Sequence, residues 1–267
     1  ERLTGSQEVV GSNPIFSTQK SLALRGFFYF SNMQLTKLNA DSSWFWTIDG
    51  LRVLVDPWFT ESQVDFHPWF SRQFHLDEQP SVAAIPKPDY IFISHRYTDH
   101  CNRETLLQLD ANIPLIALQS ILKKIEAWGH FKKLIPLSEA PLDIQLVATR
   151  QNLVHKAYLV TSSSGKLLYA PHGAQLKQEC AAEIVIASTL RYELPIFLGG
   201  VINLGLKVAL DLKESVRARH LLCTHAENKR AEGLVALLAK KKFQKDAGIT
   251  YLNPGETFSF DLSEIKN

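Results

Sequence analysis

The segment His95-Arg96-Tyr97-Thr98-Asp99-His100 combines residue types whose side chains bind metal ions in proteins. Imidazole nitrogens and carboxylate oxygens are common ligands of Zn²⁺ and related divalent ions. Tyr97 stands where the spacing would place a further histidine. A divalent ion bound here would acidify water and polarise a carbonyl or phosphoryl oxygen. The segment therefore predicts a hydrolytic metal site, or the remnant of one that has exchanged a ligand.

Further candidate residues stand directly after predicted strands. They are Asp56, His95, His172 and His225. The apolar run at 88–94, before His95, is typical of a strand buried on both faces. Asp56 and His172 each follow the second strand of a predicted hairpin, with turns at Asp49-Gly50 and Ser164-Gly165. Because loops at strand ends often carry function, we expect these side chains to converge at one rim of a sheet.

The elements that must position these residues are read from periodicity and turn signals. Helices are predicted at 102–109, 120–129, 205–218 and about 226–242, and strands also at 113–118, 183–188, 220–224, 249–252 and 257–262. Lys240, Lys241, Lys242 and Lys245 are predicted to form the solvated end of the last helix. Segment 194–210, interrupted by Lys207 and glycines, is predicted to be buried or pocket-lining, and no transmembrane segment is expected.

The composition indicates a soluble globular protein. Of the 267 residues, 45% are hydrophobic and 21% charged, which is enough apolar material for a buried core. A formal charge of +2 gives no reason to expect a nucleic-acid partner. Cys101, Cys180 and Cys223 suggest no disulfide framework, so a reducing, cytoplasmic location is expected. Cys101 lacks an obvious activating base and is predicted to be a structural thiol.

Residues 1–32 are predicted to be a non-native or disordered N-terminal extension. They show no periodicity that continues into the chain, and Met33 is the only methionine. Residues 11–14 read Gly-Ser-Asn-Pro, which GGT-TCG-AAT-CC can encode, a sequence resembling the T-arm of a transfer-RNA gene. We therefore expect translation to begin at Met33 and residues 33–267 to form one domain. The alternative is an unusual N-terminal arm.

The loop at 95–100 resembles the His-x-His-x-Asp-His signature of the metallo-β-lactamase superfamily, which follows a core strand. Three further segments are similar to the family pattern, namely LVDPWF (54–59), LLYAPHG (167–173) and CTHAE (223–227). The resemblance covers about 33–261, and it extends to a degenerate metallo-hydrolase-like branch. It implies an α/β (α+β) protein with the four-layer αββα sandwich of the metallo-β-lactamase type.

The resemblance also implies which residues bind metal. The predicted ligands are His95, Asp99, His100, His172 and His225. Members of the superfamily usually hold two ions. Here Tyr97 replaces one ligand histidine, and Gln151 or Asn152 falls where another histidine would stand. His155 lies nearby in sequence but outside the register of the family motif. His172 takes the place of the carboxylate that bridges two ions. One ion is therefore expected, with Zn²⁺ preferred over iron or manganese.

Catalytic roles are predicted for Asp99, His172 and Tyr97, and two of these keep alternatives open. His172 either fills the fourth position of a tetrahedral site, which makes the metal structural, or stays unligated and acts as a general base. Tyr97 donates a hydrogen bond to a developing oxyanion, ligates the metal as phenolate, or packs against Trp58 or Trp69. Asp56 is predicted to orient a ligand histidine or the loop backbone.

The leading hypothesis is a metal-dependent hydrolase acting on an ester, lactone or phosphoester of a small molecule or lipid. Four tryptophans in 44–69, together with 193–206, suggest an apolar pocket wall, and core packing is the alternative. The second hypothesis is a catalytically inactive binding or scaffold protein that kept the fold after losing its metals. Nuclease and glyoxalase-like activities are disfavoured, because no clamp for nucleic acid and no intact two-metal ligand set is visible.

Overall fold

The computed structural model describes residues 32–150, 154–225 and 229–261, and within these ranges the chain forms eighteen strands and four α-helices. The strands are β1 (Asn32–Lys37), β2 (Trp44–Ile48), β3 (Leu51–Val55), β4 (Ser62–Asp65), β5 (Ser71–Phe74), β6 (Tyr90–Ile93), β7 (Leu115–Ala117), β8 (Leu134–Pro136), β9 (Asp143–Val147), β10 (Ala157–Ser162), β11 (Gly165–Ala170), β12 (Ile184–Ala187), β13 (Arg191–Glu193), β14 (Val201–Leu204), β15 (His220–Cys223), β16 (Arg230–Glu232), β17 (Lys240–Lys242) and β18 (Thr257–Asp261). The helices are α1 (Arg103–Leu106), α2 (Gln119–Glu126), α3 (Leu206–Ser215) and α4 (Leu234–Leu238).

Two large sheets contain most of the described strands. One has the order β18-β1-β2-β3-β6-β7-β8, and the other has the order β15-β12-β11-β10-β9. The predicted hairpins form β2–β3 and β10–β11. The second hairpin turns at Ser163-Ser164, one residue earlier than predicted, because Ser162 pairs with Gly165. Strand β3 runs parallel to β6 in one sheet, and β11, β12 and β15 run parallel in the other.

The largest hydrophobic cluster lies between these two sheets. Trp46 packs edge-on against Tyr169 of the opposite sheet at 5.2 Å between ring centroids, and Phe92 packs in the same way against Tyr158. Helices α1 and α2 cover the outer face of the seven-stranded sheet, and α3 covers that of the five-stranded sheet. The central strands are therefore buried on both faces, which explains their continuous apolar runs. The predicted four-layer αββα sandwich is confirmed.

Two small sheets, of order β14-β13-β17 and β16-β5-β4, complete the described strands. None of these six strands was predicted from the sequence. They are three or four residues long, and all except β14 are largely polar, so they carry too little alternation of apolar and polar residues to be recognised. Strands β16 and β17 also pair with strands far away in sequence, β5 and β13, which only the folded chain brings together.

The predicted charged helix at about 226–242 is wrong for its described part, 229–242. The chain there forms β16, the short helix α4 and β17. Gly233 has φ +88°, and a Cβ at this position would lie 2.7 Å from the Trp69 carbonyl oxygen, so the backbone leaves the helical region here. Pairing of β16 with β5 and of β17 with β13 then outweighs the helix propensity of the lysine and alanine residues. The lysines at 240–242 belong to an exposed strand, not to a helix end.

Two further sequence predictions need correction. Segment 249–252 is not a strand, because only Thr250 forms a bridge, to Leu222, before the chain turns at 254–255. Segment 194–210 is not uniformly buried, since Ile196 and Phe197 are strongly exposed on the loop between β13 and β14. Its later part, which includes Ile202, does line a cavity.

The N-terminal extension predicted at 1–32 lies outside the described residues, apart from Asn32, which begins β1. Translation from Met33 thus stays a prediction. Met33 itself is fully buried in the core between the sheets. In the described part of the chain, no helix has the length and apolar character needed to cross a bilayer.

Candidate metal centre

The candidate residues gather at one edge of the sandwich, beyond the carboxyl ends of parallel strands. Asp56 follows β3 and His95 follows β6 in one sheet, whereas His172 follows β11 and His225 follows β15 in the other. Parallel strands end at the same side of a sheet, and the two sheets face each other across the core. The predicted convergence of strand-terminal histidines is therefore what the structure contains, with His100 and Asp99 on the loop that β6 delivers.

Asp56 is a fully buried carboxylate that accepts four hydrogen bonds. Its Oδ1 accepts from the backbone N–H of Ser94 at 2.7 Å. Its Oδ2 accepts from the Ser94 hydroxyl at 2.5 Å, from the Tyr169 hydroxyl at 2.7 Å and from His100 Nδ1 at 2.8 Å. A buried charge is stable only when it is satisfied in this way. Asp56 thus contacts groups from both sheets and holds the His100 ring. Its predicted role in orienting a metal-binding histidine stays a prediction.

Three histidines are each held through Nδ1 by a buried acceptor. The pairs are His100 with Asp56 (2.8 Å), His172 with Asn203 Oδ1 (2.6 Å) and His225 with Asp41 Oδ1. When Nδ1–H donates to the acceptor, a neutral imidazole keeps its lone pair on Nε2. Such an acceptor behind the ring is the usual companion of a metal-binding histidine. All three Nε2 atoms are therefore set up as ligand atoms.

The donor atoms form two overlapping groups of potential ligands, Asp99 with His100 and His225, and His95 with His100 and His172, and within each group they lie within 4.8 Å of one another. His100 Nε2 is 2.9 Å from His172 Nε2, and His225 Nε2 is 3.2 Å from Asp99 Oδ2. Asp99 Oδ2 is 3.8 Å from His100 Nε2. Ligands about 2.0–2.1 Å from a tetrahedral Zn²⁺ would be about 3.3 Å apart. Two lone pairs facing each other at 2.9 Å repel unless a proton or a metal ion lies between them, so the His100–His172 pair favours a cation. Imidazole nitrogens and a carboxylate are donors that suit a divalent ion.

The surroundings of these groups set their charges. Burial alone would raise the pKa of the Asp99 carboxyl, but His100 and His225 outweigh it and hold that pKa well below its usual value. Burial lowers the pKa of His172 well below the usual value, and His225 lowers it further. Burial also lowers the pKa of His225, but Asp41 more than offsets this and raises it to about 9. The space between His225 and Asp99 thus favours a cation, which can be either a proton or a metal ion.

His95 lies against the same cluster but has both ring nitrogens engaged. Its ring centroid is 4.8 Å from those of His100 and His172, and the three residues form one group of potential ligands. Its Nε2–H donates to the Val154 carbonyl at 2.9 Å, and its Nδ1 lies 2.8 Å from the Ser94 hydroxyl. Metal binding by His95 would require one of these contacts to break, so its predicted role as ligand stays a prediction.

Tyr97 lies over His95, not against tryptophan. Its ring is nearly parallel to that of His95 at 6.3 Å and perpendicular to that of His172 at the same distance. Trp58 instead packs on His75, and Trp69 packs on Phe70, so the suggested packing of Tyr97 on either tryptophan is wrong. Burial, with a contribution from Asp99, raises the pKa of Tyr97, which favours the neutral phenol as a hydrogen-bond donor.

Of the residues considered in place of the missing histidine of the family pattern, only His155 is among the described residues. Gln151 and Asn152 lie outside the described residues. His155 donates from Nε2 to the Ile202 carbonyl at 3.0 Å, and it belongs to neither group of potential ligands found among the described residues.

Two residues of the site, Asp41 and Asn203, were missed by the sequence analysis. Asp41 is buried just before β2, and its Oδ2 accepts from Lys229 Nζ at 2.7 Å while Oδ1 holds His225. Asn203 lies in β14 and holds His172. Neither stands in a recognisable motif, because each acts through a partner 31 or more residues away in sequence.

A small cavity of about 60 Å³ opens beside the donor atoms. Its lining includes Asp99, His225, Tyr192, Ile202 and Lys241. Trp44, Trp46 and Trp58 are instead fully buried in the core, and no tryptophan lines this cavity. Three of the four tryptophans are therefore core packing, which was the alternative interpretation, whereas Trp69 is exposed. The cavity has room for only a few water molecules as it stands.

Replacing Asp41 by asparagine is expected to weaken metal binding about 10- to 100-fold, which is the usual effect of losing the acceptor behind a ligand histidine. The amide keeps the size of the side chain but offers an N–H to His225 or to Lys229, each of which donates to Asp41. The measurement is a competition titration with a metal-binding dye. Asp89→Asn, which removes an exposed carboxylate paired with Arg52, serves as control. Equal affinities for the two variants would contradict the role of Asp41.

A four-layer αββα sandwich with a histidine- and aspartate-lined edge defines a class of metal-binding proteins, and comparison with known proteins identifies the family. A model described as "Beta-lactamase superfamily domain" matches residues 34–225. The chain belongs to the metallo-β-lactamase superfamily. No curated protein sequence matches it.

Solved structures resemble the chain over most of its length at low sequence identity. An isothiocyanate hydrolase from Delia radicum gut bacteria has a TM-score of 0.62 at 14% identity, over 86% of this chain and all of its own. Igni18, a metallo hydrolase from Ignicoccus hospitalis, has a TM-score of 0.55 at 18% identity, over 86% and 99%. CmlA, a diiron β-hydroxylase from Streptomyces venezuelae, has a TM-score of 0.57 at 11% identity, over 87% and 54%. These likenesses support the fold.

Proposed function

We propose that the protein is a metal-dependent hydrolase with a mononuclear site formed by Asp99, His100, His172 and His225. The observation that carries this proposal is the set of three histidines whose Nδ1 atoms are held by buried acceptors, with His172 Nε2 facing His100 Nε2 and His225 Nε2 facing Asp99. This arrangement lowers the stability of the folded protein unless a cation is bound, because the facing lone pairs repel each other. Membership of a superfamily that includes hydrolases supports the same function.

The chain's own residues would divide the work as follows. A divalent ion, when bound, supplies Lewis-acid activation of water and of the substrate oxygen. Asp99 would be the charged ligand and lines the cavity, so its carboxylate is placed to orient the attacking water by accepting a hydrogen bond from it. Tyr97 is half-buried beside His95 and His172, and its phenol is suited to donate to a developing oxyanion. Asp56 and Asp41 hold His100 and His225 in place.

Zinc is the ion that we propose, since three imidazole nitrogens and one carboxylate suit it. Iron and manganese bind the same ligand types. The diiron β-hydroxylase from Streptomyces venezuelae shares the fold, so the fold alone does not choose the metal.

The substrate that we propose is an ester, lactone or phosphoester. A cavity of about 60 Å³ admits a small reacting group, whereas pockets that enclose a drug-sized ligand have roughly 300 Å³ or more. The rest of a larger substrate, such as a lipid, would therefore lie outside the cavity, along its mouth. No nucleic-acid partner is proposed, and the cytoplasmic location is proposed from the cysteine content alone.

A second candidate function, that of a noncatalytic metal-stabilised binding protein, is favoured by one observation. Four protein ligands close a tetrahedral ion and leave no position for water. If His172 binds through Nε2, as its orientation toward His100 indicates, a zinc ion would be structural. A five- or six-coordinate ion, or a His172 that moves away, would be needed for hydrolysis.

Elemental analysis of the purified protein tests the proposal. We expect about one zinc ion per chain, and none in the Asp99→Ala, His225→Ala double variant. The metal-loaded protein should hydrolyse activated esters, lactones or phosphodiesters, and chelation should abolish this activity. Metal-free wild-type protein that remains folded would refute the metal site. Stoichiometric metal without activity on any of these substrates would instead establish the binding protein.

A further inference from the structure

Exposed apolar side chains gather on three segments beside the cavity mouth. Phe66 and Trp69, at the turn between β4 and β5, are 95% and 64% exposed. Leu237 of α4 is 83% exposed. Ile196 and Phe197, on the loop between β13 and β14, are 93% and 80% exposed. These five residues are called the apolar rim. Side chains of this size are rarely exposed together unless they contact something.

The three segments adjoin one another. The backbone N–H groups of Leu234 and Val235 donate to the carbonyls of Trp69 and Phe70 at 3.0 and 2.9 Å, so α4 begins against the β4–β5 turn. Helix α4 ends at Leu238, and the chain continues at once into β17. Strand β17 pairs antiparallel with β13, and its first residue lies opposite the last residue of β13, next to the exposed loop. The apolar rim is thus one continuous edge.

The rim borders the candidate metal centre. The cavity is lined by Gln73 of β5, Tyr192 of β13 and Lys241 of β17. The strands next to the rim segments therefore also form the cavity wall. Any surface that the rim contacts would therefore lie at the entrance to the site.

Basic residues surround the rim. Strands β13, β16 and β17 together contain five lysine and arginine residues against two glutamates, and one glutamate, Glu193, pairs with Arg191. Because side chains alternate along a strand and Lys241 lines the cavity, Lys240 and Lys242 lie on the opposite face of β17. All three lysines are exposed. The edge thus combines apolar tips with an excess of positive charge.

We propose that this edge binds the surface of an anionic lipid bilayer, with the apolar rim entering the headgroup region and the lysines contacting the lipid phosphates. Protein–protein interfaces are depleted in lysine, whereas surfaces that bind lipid combine aromatic and aliphatic side chains with lysine and arginine. Anionic lipids attract basic residues within a Debye length of the membrane. Binding would place the cavity mouth at the bilayer surface, and it does not depend on metal in the site.

Flotation of the full-length protein with lipid vesicles tests the proposal. We expect binding to vesicles of phosphatidylcholine mixed with phosphatidylglycerol, much weaker binding to phosphatidylcholine alone, and release by high salt. The Ile196→Ser, Phe197→Ser variant should bind at least about tenfold more weakly to the anionic vesicles. The Lys240→Gln, Lys242→Gln variant should lose about fivefold in affinity per lysine, roughly 25-fold in all, on anionic vesicles only.

Matched changes elsewhere on the surface serve as controls. Leu146→Ser removes an exposed leucine of β9, and Lys123→Gln removes an exposed lysine of α2; both variants should bind like the wild type. Circular dichroism and melting curves verify that each variant is folded. The proposal is overturned if the wild type fails to bind anionic vesicles at low salt, if the control variants lose as much binding as the rim variants, or if sedimentation shows a rim-dependent dimer without vesicle binding.

Discussion

Replacing Asp56 by alanine is expected to destabilise the metal-free protein by about 3–5 kcal/mol, because it leaves buried donors without their acceptor. Four hydrogen bonds from Ser94, Tyr169 and His100 end on this carboxylate, which is fully buried. Ser94 and Tyr169 belong to different sheets, so the change loosens the contact between the two halves of the sandwich. The measurement is urea unfolding with a chelator present, so that lost metal binding does not contribute to the difference.

Asp49→Ala is the matched control for this change. Both aspartates have a left-handed backbone, with φ 46° at Asp56 and φ 50° at Asp49, so both substitutions place alanine in the same unfavourable conformation. Asp49 lies in the exposed turn between β2 and β3, and within the described ranges its side chain accepts hydrogen bonds only from Ser163. We expect its loss to cost about 1 kcal/mol. Equal costs at the two positions would show that backbone strain, not the buried hydrogen bonds, accounts for the loss at Asp56.

Replacing His172 by alanine is expected to raise the metal dissociation constant roughly 100-fold while leaving a three-ligand site of Asp99, His100 and His225. The truncated side chain opens a coordination position. If the bound ion in the wild type is closed to water, hydrolysis of activated esters should therefore rise per bound ion in the variant. Addition of free imidazole should restore affinity and suppress that activity. Metal titration and steady-state kinetics at saturating metal provide the two measurements.

His95→Ala is the natural comparison, since both histidines are buried and lie 4.8 Å apart between ring centroids. Because His95 Nε2 is engaged by the Val154 carbonyl, we expect its loss to change the metal affinity by less than about tenfold. A loss of metal affinity as large as that in His172→Ala would show that His95 is a ligand, as the family pattern predicts. An unchanged affinity in His172→Ala would remove His172 from the ligand set and make a role as general base the better explanation.

Nine of the twelve strands in the two large sheets were predicted because they are marked locally, whereas β1, β8 and β9 were missed. Continuous apolar runs before His95 and His225, and the Asp49-Gly50 turn, each encode their element within a few residues. The strands of the small sheets were not predicted because they are short and mostly polar, and β16 and β17 gain their pairing from strands far away in sequence. In the segment after Lys229, local composition and tertiary pairing favour different structures. The composition favours a helix, but Gly233 interrupts it, and β16 pairs with β5 while β17 pairs with β13.

The residue types of the site were determined by the sequence itself. His95, Asp99, His100, His172 and His225 could be selected because each follows a predicted strand and matches a motif, and the structure brings their side chains together. What the sequence could not determine is which nitrogen each histidine offers. That depends on acceptors such as Asp41 and Asn203, which reach the site only through the fold. Ligand geometry is fixed to within tenths of an ångström by such contacts, and contacts between residues distant in sequence exist only once the two sheets have packed.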